Sequence, residues 1–205
     1  MSDRARSGYV RPGISRIEVL VGGIVLAVAG VLVLPTLGSG RVAERRAACL
    51  VNLGEIGKAL AAYLNDSGQV WPYVSKLRSV QLHQPPWPTL PEVLEKYVAG
   101  RKDVFACPAD RRELADDSPL RKEHGKRTTW WQTEGTSYEW MMGEGYGGRK
   151  VGEETLVKAK GFGMGRADMP LVAEFGAFHE GDGGGSFNTL NADLKPRTAK
   201  DNVRR

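Results

Sequence analysis

Gly13-Ile14-Ser15-Arg16-Ile17-Glu18-Val19-Leu20 opens the stretch whose reading decides the fold, and the run continues without a charge as far as Leu37. Positions 19–37 make 19 residues with no Asp, Glu, Lys or Arg. As a helix, at roughly 1.5 Å per residue, they span about 28 Å, close to the hydrocarbon core of a bilayer. Glu18 stands at the mouth of this run, where desolvation makes a charge costly unless a partner meets it. Arg4, Arg6 and Arg11 lie on the N-terminal side. They predict a cytoplasmic N-terminus and an outer location for everything beyond the span. Arg41, Arg45 and Arg46 follow the span and oppose that orientation, but the first flank usually dominates. A secretory signal removed whole is the alternative, with small residues for cleavage at 36–40. The apolar run is longer than the usual signal core, which favours a retained anchor.

Beyond the span, residues 41–65 turn amphipathic. Cys49, Leu53, Ile56, Leu60 and Tyr63 alternate at spacings of four and three, one face of a helix. Asn65-Asp66-Ser67-Gly68 is a stop signal. One long helix is expected, bent at Pro35 and loosened by Gly38 and Gly40. Residues 69–91 are rich in Pro and Trp and read as a loop packed by its aromatics, with a polyproline ligand as the alternative. Residues 89–98 read as a short capped helix with Pro91 in its first turn. Residues 103–110 suggest a strand or turn, and 111–127 an exposed charged stretch. Residues 128–142 have strand composition, and 143–165 suggest a glycine-rich hairpin and loop. Strands are expected at 169–175 and 187–194, and a frayed tail at 195–205. The order, helix first and strands after, gives an α+β class: a long transmembrane and amphipathic helix on a small antiparallel sheet. The divisions are 1–13 leader, 14–37 membrane half of the helix, 38–66 amphipathic half, and 67–205 outer domain.

Past position 37 there remains enough chain for one domain with its own core. The formal charge of +5 and isoelectric point near 9.3 are modest, and the basic residues are scattered. With no basic stripe interleaved with aromatics, nucleic acid is not expected as a partner.

The Gly13/Glu18 spacing, the apolar run and Pro35 together resemble the prepilin signal of type IV pilins and type II secretion pseudopilins. The resemblance implies cleavage after Gly13 by a prepilin peptidase, an N-methylated Ile14, and Glu18 as the fifth mature residue. It also implies a helix kink at Pro35 and a pilin-like fold. The family usually has Phe-Thr-Leu after the cut, where this chain has Ile14-Ser15-Arg16. The rest of the chain resembles the planctomycete-type pilin-like proteins with a DUF1559-like C-terminal domain. That likeness rests on Cys49-Leu50-Val51-Asn52-Leu53, Cys107-Pro108-Ala109-Asp110 and Ser137-Tyr138. It rests too on His179 with Asn188-Thr189-Leu190-Asn191-Ala192-Asp193. The glycine that follows the Asp in that family is Leu194 here. What both likenesses imply is a single-pass inner-membrane subunit with its C-terminal domain in the periplasm. Its partners would be the membrane, the peptidase and other pilin-like subunits. In such filaments Glu18 would pair with the terminal amine of a neighbour.

Cys49 and Cys107 are the only cysteines. Outside the cytoplasm they suit one disulfide, with two buried free thiols as the alternative. Two thiols without paired histidines nearby fall short of the four ligands of zinc. His83 and His124 sit in polar stretches and read as solvated. His179 with Glu174, Glu180, Asp182 and Asp193 offers oxygen ligands for calcium if the last strands pair, and some pseudopilins carry calcium in a C-terminal loop. Asp182 and Asp193 are the leading candidates, with a hydrogen-bonded loop cap as the plainer role. There is no GxSxG, no P-loop and no HExxH, so no enzyme and no cofactor are expected. The reading from another class is a signal-anchored periplasmic binding or enzymatic domain that does not polymerise.

Overall fold

The computed structural model describes residues 16–80, 83–143, 146–151, 169–179 and 186–200, with side chains in the first helix at 17, 19–24 and 40 onward and in the last strand up to 198. The chain divides into two compact units, Met1–Gly40 and Arg41–Arg205. Helix α1, Arg16–Asp66, contributes residues to both. In the first unit Ile17, Val19, Leu20, Val21 and Ile24 are exposed, at 53–75%. Pro35, Gly38 and Gly40 all lie inside α1.

The second unit is α+β. Its part of α1 buries the face foreseen from the four-three spacing: Cys49, Leu53, Ile56 and Leu60 are fully buried, while Val51 is exposed off that face. Among the described residues one stretch, Gly40–Asp66, is long and apolar enough to cross a membrane. Its apolar face, however, is packed into the core of this unit. The helix ends as the sequence signals. The Gln69 amide donates to the Leu64 carbonyl at 2.7 Å, and Gly68 takes a left-handed φ of 68°, a Schellman-type closure.

The Pro- and Trp-rich loop is packed by aromatics: Trp71 and Val74 are buried, and Tyr73 lies against Trp87. His83 stacks on Trp87 with ring centroids 3.6 Å apart, so it does not stand free in solvent as its polar setting suggested. Helix α2, Leu90–Leu94, starts after Thr89, whose amide donates to the Glu92 carboxylate at 2.8 Å. Two 3-10 turns follow, Glu95–Val98 and Lys102–Phe105. Of the strand or turn expected for 103–110, the second is the turn, and it buries Val104 and Phe105.

The stretch read as merely charged and exposed holds strand β1, Arg112–Glu113, helix α3, Arg121–His124, and strand β2, Arg127–Thr128. The two strands pair antiparallel, and Leu114 beside them is buried. Residues 128–142 are not all strand. Trp130–Glu134 forms helix α4, because Thr129 and Gln132 make a capping box and Gly135 closes the other end at φ 76°. Local capping here outweighs the β-propensity of the tryptophans.

The main sheet is an antiparallel meander in chain order: β3 Tyr138–Trp140, β4 Pro170–Glu174, β5 Ser186–Asn191 and β6 Pro196–Lys200. Strand β6 corrects the expected frayed tail. It pairs with β5 from Ser186↔Lys200 to Leu190↔Pro196. Tyr138 lies opposite Glu174, and Ala173 opposite Thr189. Residues of α1, β3, β4 and β5 share one core that includes Leu53, Ile56, Leu60, Tyr138, Leu171, Val172 and Leu190.

Gly57 on α1 lies close to the turn between β5 and β6. A Cβ there would meet Leu190 Cδ1 at 3.0 Å and the Leu194 carbonyl oxygen at 3.1 Å. Leu190 is fully buried and the other obstacle is backbone, so neither yields readily. Gly57→Ala is therefore expected to destabilise the unit by about 1–2 kcal/mol. Helix propensity alone would give a gain of up to ~1 kcal/mol. Urea denaturation of the variant decides the sign.

Candidate functional site

Most of the motif residues lie around one largely buried cluster. Cys49 on α1 and Cys107, just after the second 3-10 turn, form a disulfide across 58 positions of sequence. Asn52, nearly one helical turn beyond Cys49, donates its Nδ2 to the Ala106 carbonyl at 2.9 Å. The helix therefore holds the segment before Cys107 by a covalent bond and by a hydrogen bond from the same face. This is a physical reason for Cys and Asn to occur three apart.

On the far side of Cys107, its amide donates to Ser137 Oγ at 2.9 Å, and that hydroxyl donates to Asp110 Oδ2 at 2.6 Å. Asp110 also accepts from the Trp130 and Trp131 amides, at 3.0 and 2.8 Å. The carboxylate thus satisfies two of the unpaired amides that begin α4. Beside this, Tyr138 is buried and its hydroxyl reaches the Cys49 carbonyl at 3.5 Å. Burial pushes its phenol well above the ordinary tyrosine range, and the neighbouring Glu174 adds to the rise.

Glu174 ends β4 with a fully buried side chain. Its Oε2 accepts from the Asn188 amide at 2.7 Å. Its Oε1 lies 3.0 Å from His179 Nε2 and 3.1 Å from Asn188 Nδ2. Asn188 Oδ1 accepts from Thr198 Oγ1 at 2.8 Å, which ties the edge strand β6 to the cluster. Ser186 Oγ accepts from Arg46 Nη2 at 2.7 Å and donates to the His179 carbonyl at 3.0 Å, linking α1 to the same place.

No family model, curated protein or solved structure matches this chain. The function must therefore be read from the residues themselves. Glu174, His179 and Asn188 are each no more than 5% exposed, and Ser137 is fully buried. The proton of Ser137 Oγ is held by Asp110. Such a set is well arranged to fix strands, turns and helix to one another.

Of the expected cation group, the described residues Glu174 and Asp193 are not brought together. The strand register sets Glu174 beside Asn188, while Asp193 lies in the turn past the other end of β5. There Asp193 accepts from the Lys195 amide at 3.1 Å and pairs with Arg197 at 2.6 Å. Leu194 follows with φ 58°, the left-handed conformation that a glycine would take without strain. Glu180 and Asp182 lie outside the described residues, as do Gly13 and Ile14; the side chains of Glu18 and Pro35 are likewise not described. His124 is near Glu123, 3.8 Å away.

Sequence reasoning missed a second buried carboxylate. Glu134 is 1% exposed, and accepts from the Ser79 amide and Oγ and from Arg112 Nη1 at 2.9, 2.8 and 2.9 Å. Nothing in the local pattern marks it, since its partners lie 55 and 22 positions away.

Proposed function

We propose that this chain is a structural pilin- or pseudopilin-like subunit, anchored by α1 and assembled with like subunits into a type II secretion or type IV pilus-type filament. One observation carries the reading. A single helix, Arg16–Asp66, combines 19 uncharged positions at its start with a face at its end that is buried in an α+β core. Gly13 and Glu18, five positions apart, supply the prepilin-type cleavage and pairing residues. On this reading the subunit packs and presents, and does no chemistry of its own. The N-terminus stays cytoplasmic until it is trimmed, and the second unit lies in the periplasm. The outer unit's disulfide is in keeping with an oxidising compartment.

Glu18 would meet the new terminal amine of a neighbouring subunit inside the bilayer. Two opposite charges there attract strongly, and each lowers the other's desolvation cost. Mass spectrometry of the protein from native membranes is the test. A mature N-terminus at methylated Ile14 supports the reading. Retention of Met1 or Ser2 sinks it and favours a signal-anchored domain that stays single. A start after residue 40 would make the chain a secreted protein. Glu18→Ala is expected to leave the outer unit folded and to lower incorporation into filaments by about tenfold, the equivalent of about 1.4 kcal/mol. Sedimentation of sheared filaments measures this, and normal incorporation would remove the pairing role.

A further inference from the structure

We infer that the dithiol form of this chain holds one zinc ion on Cys49, Cys107, Glu174 and His179. This does not rest on the filament reading, since it concerns only the core of the second unit. The four side chains come from α1, the segment after the second 3-10 turn, β4 and the stretch after β4 that bridges to Ser186, and all four are buried. Their ligand atoms lie within 4.8 Å of one another. The sequence suggested a shortage of zinc ligands because no second histidine stands near either cysteine. The fold supplies the missing two from positions 67 and 72 residues beyond Cys107.

The donor set and spacing both suit the metal. Two thiolates, an imidazole and a carboxylate are zinc donors, and four of them complete a closed tetrahedral site. Bonds of about 2.0–2.3 Å in a tetrahedron place donor atoms roughly 3.3–3.8 Å apart. Cys107 Sγ lies 3.4 Å from Glu174 Oε1, and His179 Nε2 lies 3.0 Å from that same oxygen. In the bonded form the two sulfurs are joined to each other, so the bond must be reduced before they can take an ion. The remaining separations are all within 4.8 Å, so closing on an ion takes shifts of about an ångström.

One detail fits poorly with a purely structural cluster. A disulfide sulfur carries no proton, so Cys107 Sγ cannot donate to the carboxylate oxygen it touches at 3.4 Å. His179 is 1% exposed and turns Nε2 into the cluster, 3.0 Å from Glu174 Oε1 and 3.1 Å from Asn188 Nδ2, and that is the nitrogen a metal would take.

The bound metal and the disulfide are alternative states of the same two sulfurs. As synthesised, the chain carries both cysteines as thiols. Zinc binding to that form displaces two thiol protons, one from each sulfur, to solvent. From the disulfide, a phosphine reductant gives the same state. The phosphine gives up two electrons and takes an oxygen atom from water, and the two sulfurs gain the electrons and two protons.

The test uses the full chain in detergent, without oxygen, before and after phosphine reduction. Zinc retained after dialysis is counted against protein, and cobalt serves as the spectroscopic probe. The reduced chain is expected to hold one equivalent, and the disulfide form none. Cobalt should show the intense visible bands of tetrahedral coordination with a thiolate charge-transfer band in the near ultraviolet. His179→Ala should weaken zinc binding by more than the roughly 100-fold that loss of an outer-shell partner costs. Should that variant not fold, Glu174→Gln and the wild-type cobalt spectrum still decide. A reduced chain without stoichiometric metal overturns the inference. So does an octahedral cobalt spectrum, or equal zinc affinity in a folded His179→Ala or Glu174→Gln variant.

Discussion

Replacing Cys49 and Cys107 together by alanine is expected to lower the stability of the second unit by about 4 kcal/mol. The bond closes a loop of 58 positions, and in the chain-entropy model its main effect is to restrict the unfolded chain. A typical domain is stable by only ~5–15 kcal/mol, so this is a large share of the total. The loss should appear in urea denaturation of the full chain in detergent. The slope with denaturant should rise as well, because an unlinked chain exposes more surface when it unfolds. Each single substitution should cost about as much as the pair, since either one removes the whole cross-link. A loss under about 1 kcal/mol in the double variant would mean that Asn52, Ser137 and Asp110 hold the segment without help.

The same cysteines show how far the sequence could be read. The face of α1 was legible because it is local: Cys49, Leu53, Ile56 and Leu60 repeat at helical spacing, and all four are buried. The stop at Gly68 was legible for the same reason. Strand β4 was plain from its apolar run, and so was the core of β5. Helix α4 was misread because Trp130 and Trp131 have strand composition. The Thr129…Gln132 capping box and Gly135 were the signals to weigh against it. Strand β6 was hidden because Pro196, Arg197 and Lys200 are poor strand formers. Pairing with β5 and the Thr198 to Asn188 bond override that preference. The polar cluster was only half visible. The residue types of the motifs stand out along the chain, but the pairing of Glu174 with His179 and Asn188 depends on strand register. An acid closing the apolar strand Pro170–Glu174 was the one local sign that a buried partner had to exist.

Arg112→Ala is expected to cost about 3–5 kcal/mol, the range for removing one partner of a buried ion pair. Glu134 has a fully buried side chain, and Arg112 is 17% exposed. The arginine also lies over the Trp130 ring, 3.9 Å from its centroid, so the substitution removes a cation–π contact and packing as well. The two Ser79 donors remain, but they are neutral and do not balance a carboxylate taken out of water. The pair should be asymmetric. Glu134→Gln keeps an acceptor for Ser79 and leaves Arg112 with some contact with solvent, so its loss should be the smaller, about 1–2 kcal/mol. In the double variant the stranded carboxylate is gone, and stability should recover part of the way from Arg112→Ala. Urea midpoints of the three variants close a double-mutant cycle, and a coupling of about 1–3 kcal/mol is expected. A cycle that closes at zero would show that the arginine acts through Thr133 and Trp130. In that case Glu134 would be held by Ser79, and β1 would be joined to α4 by packing and a neutral hydrogen bond and not by charge.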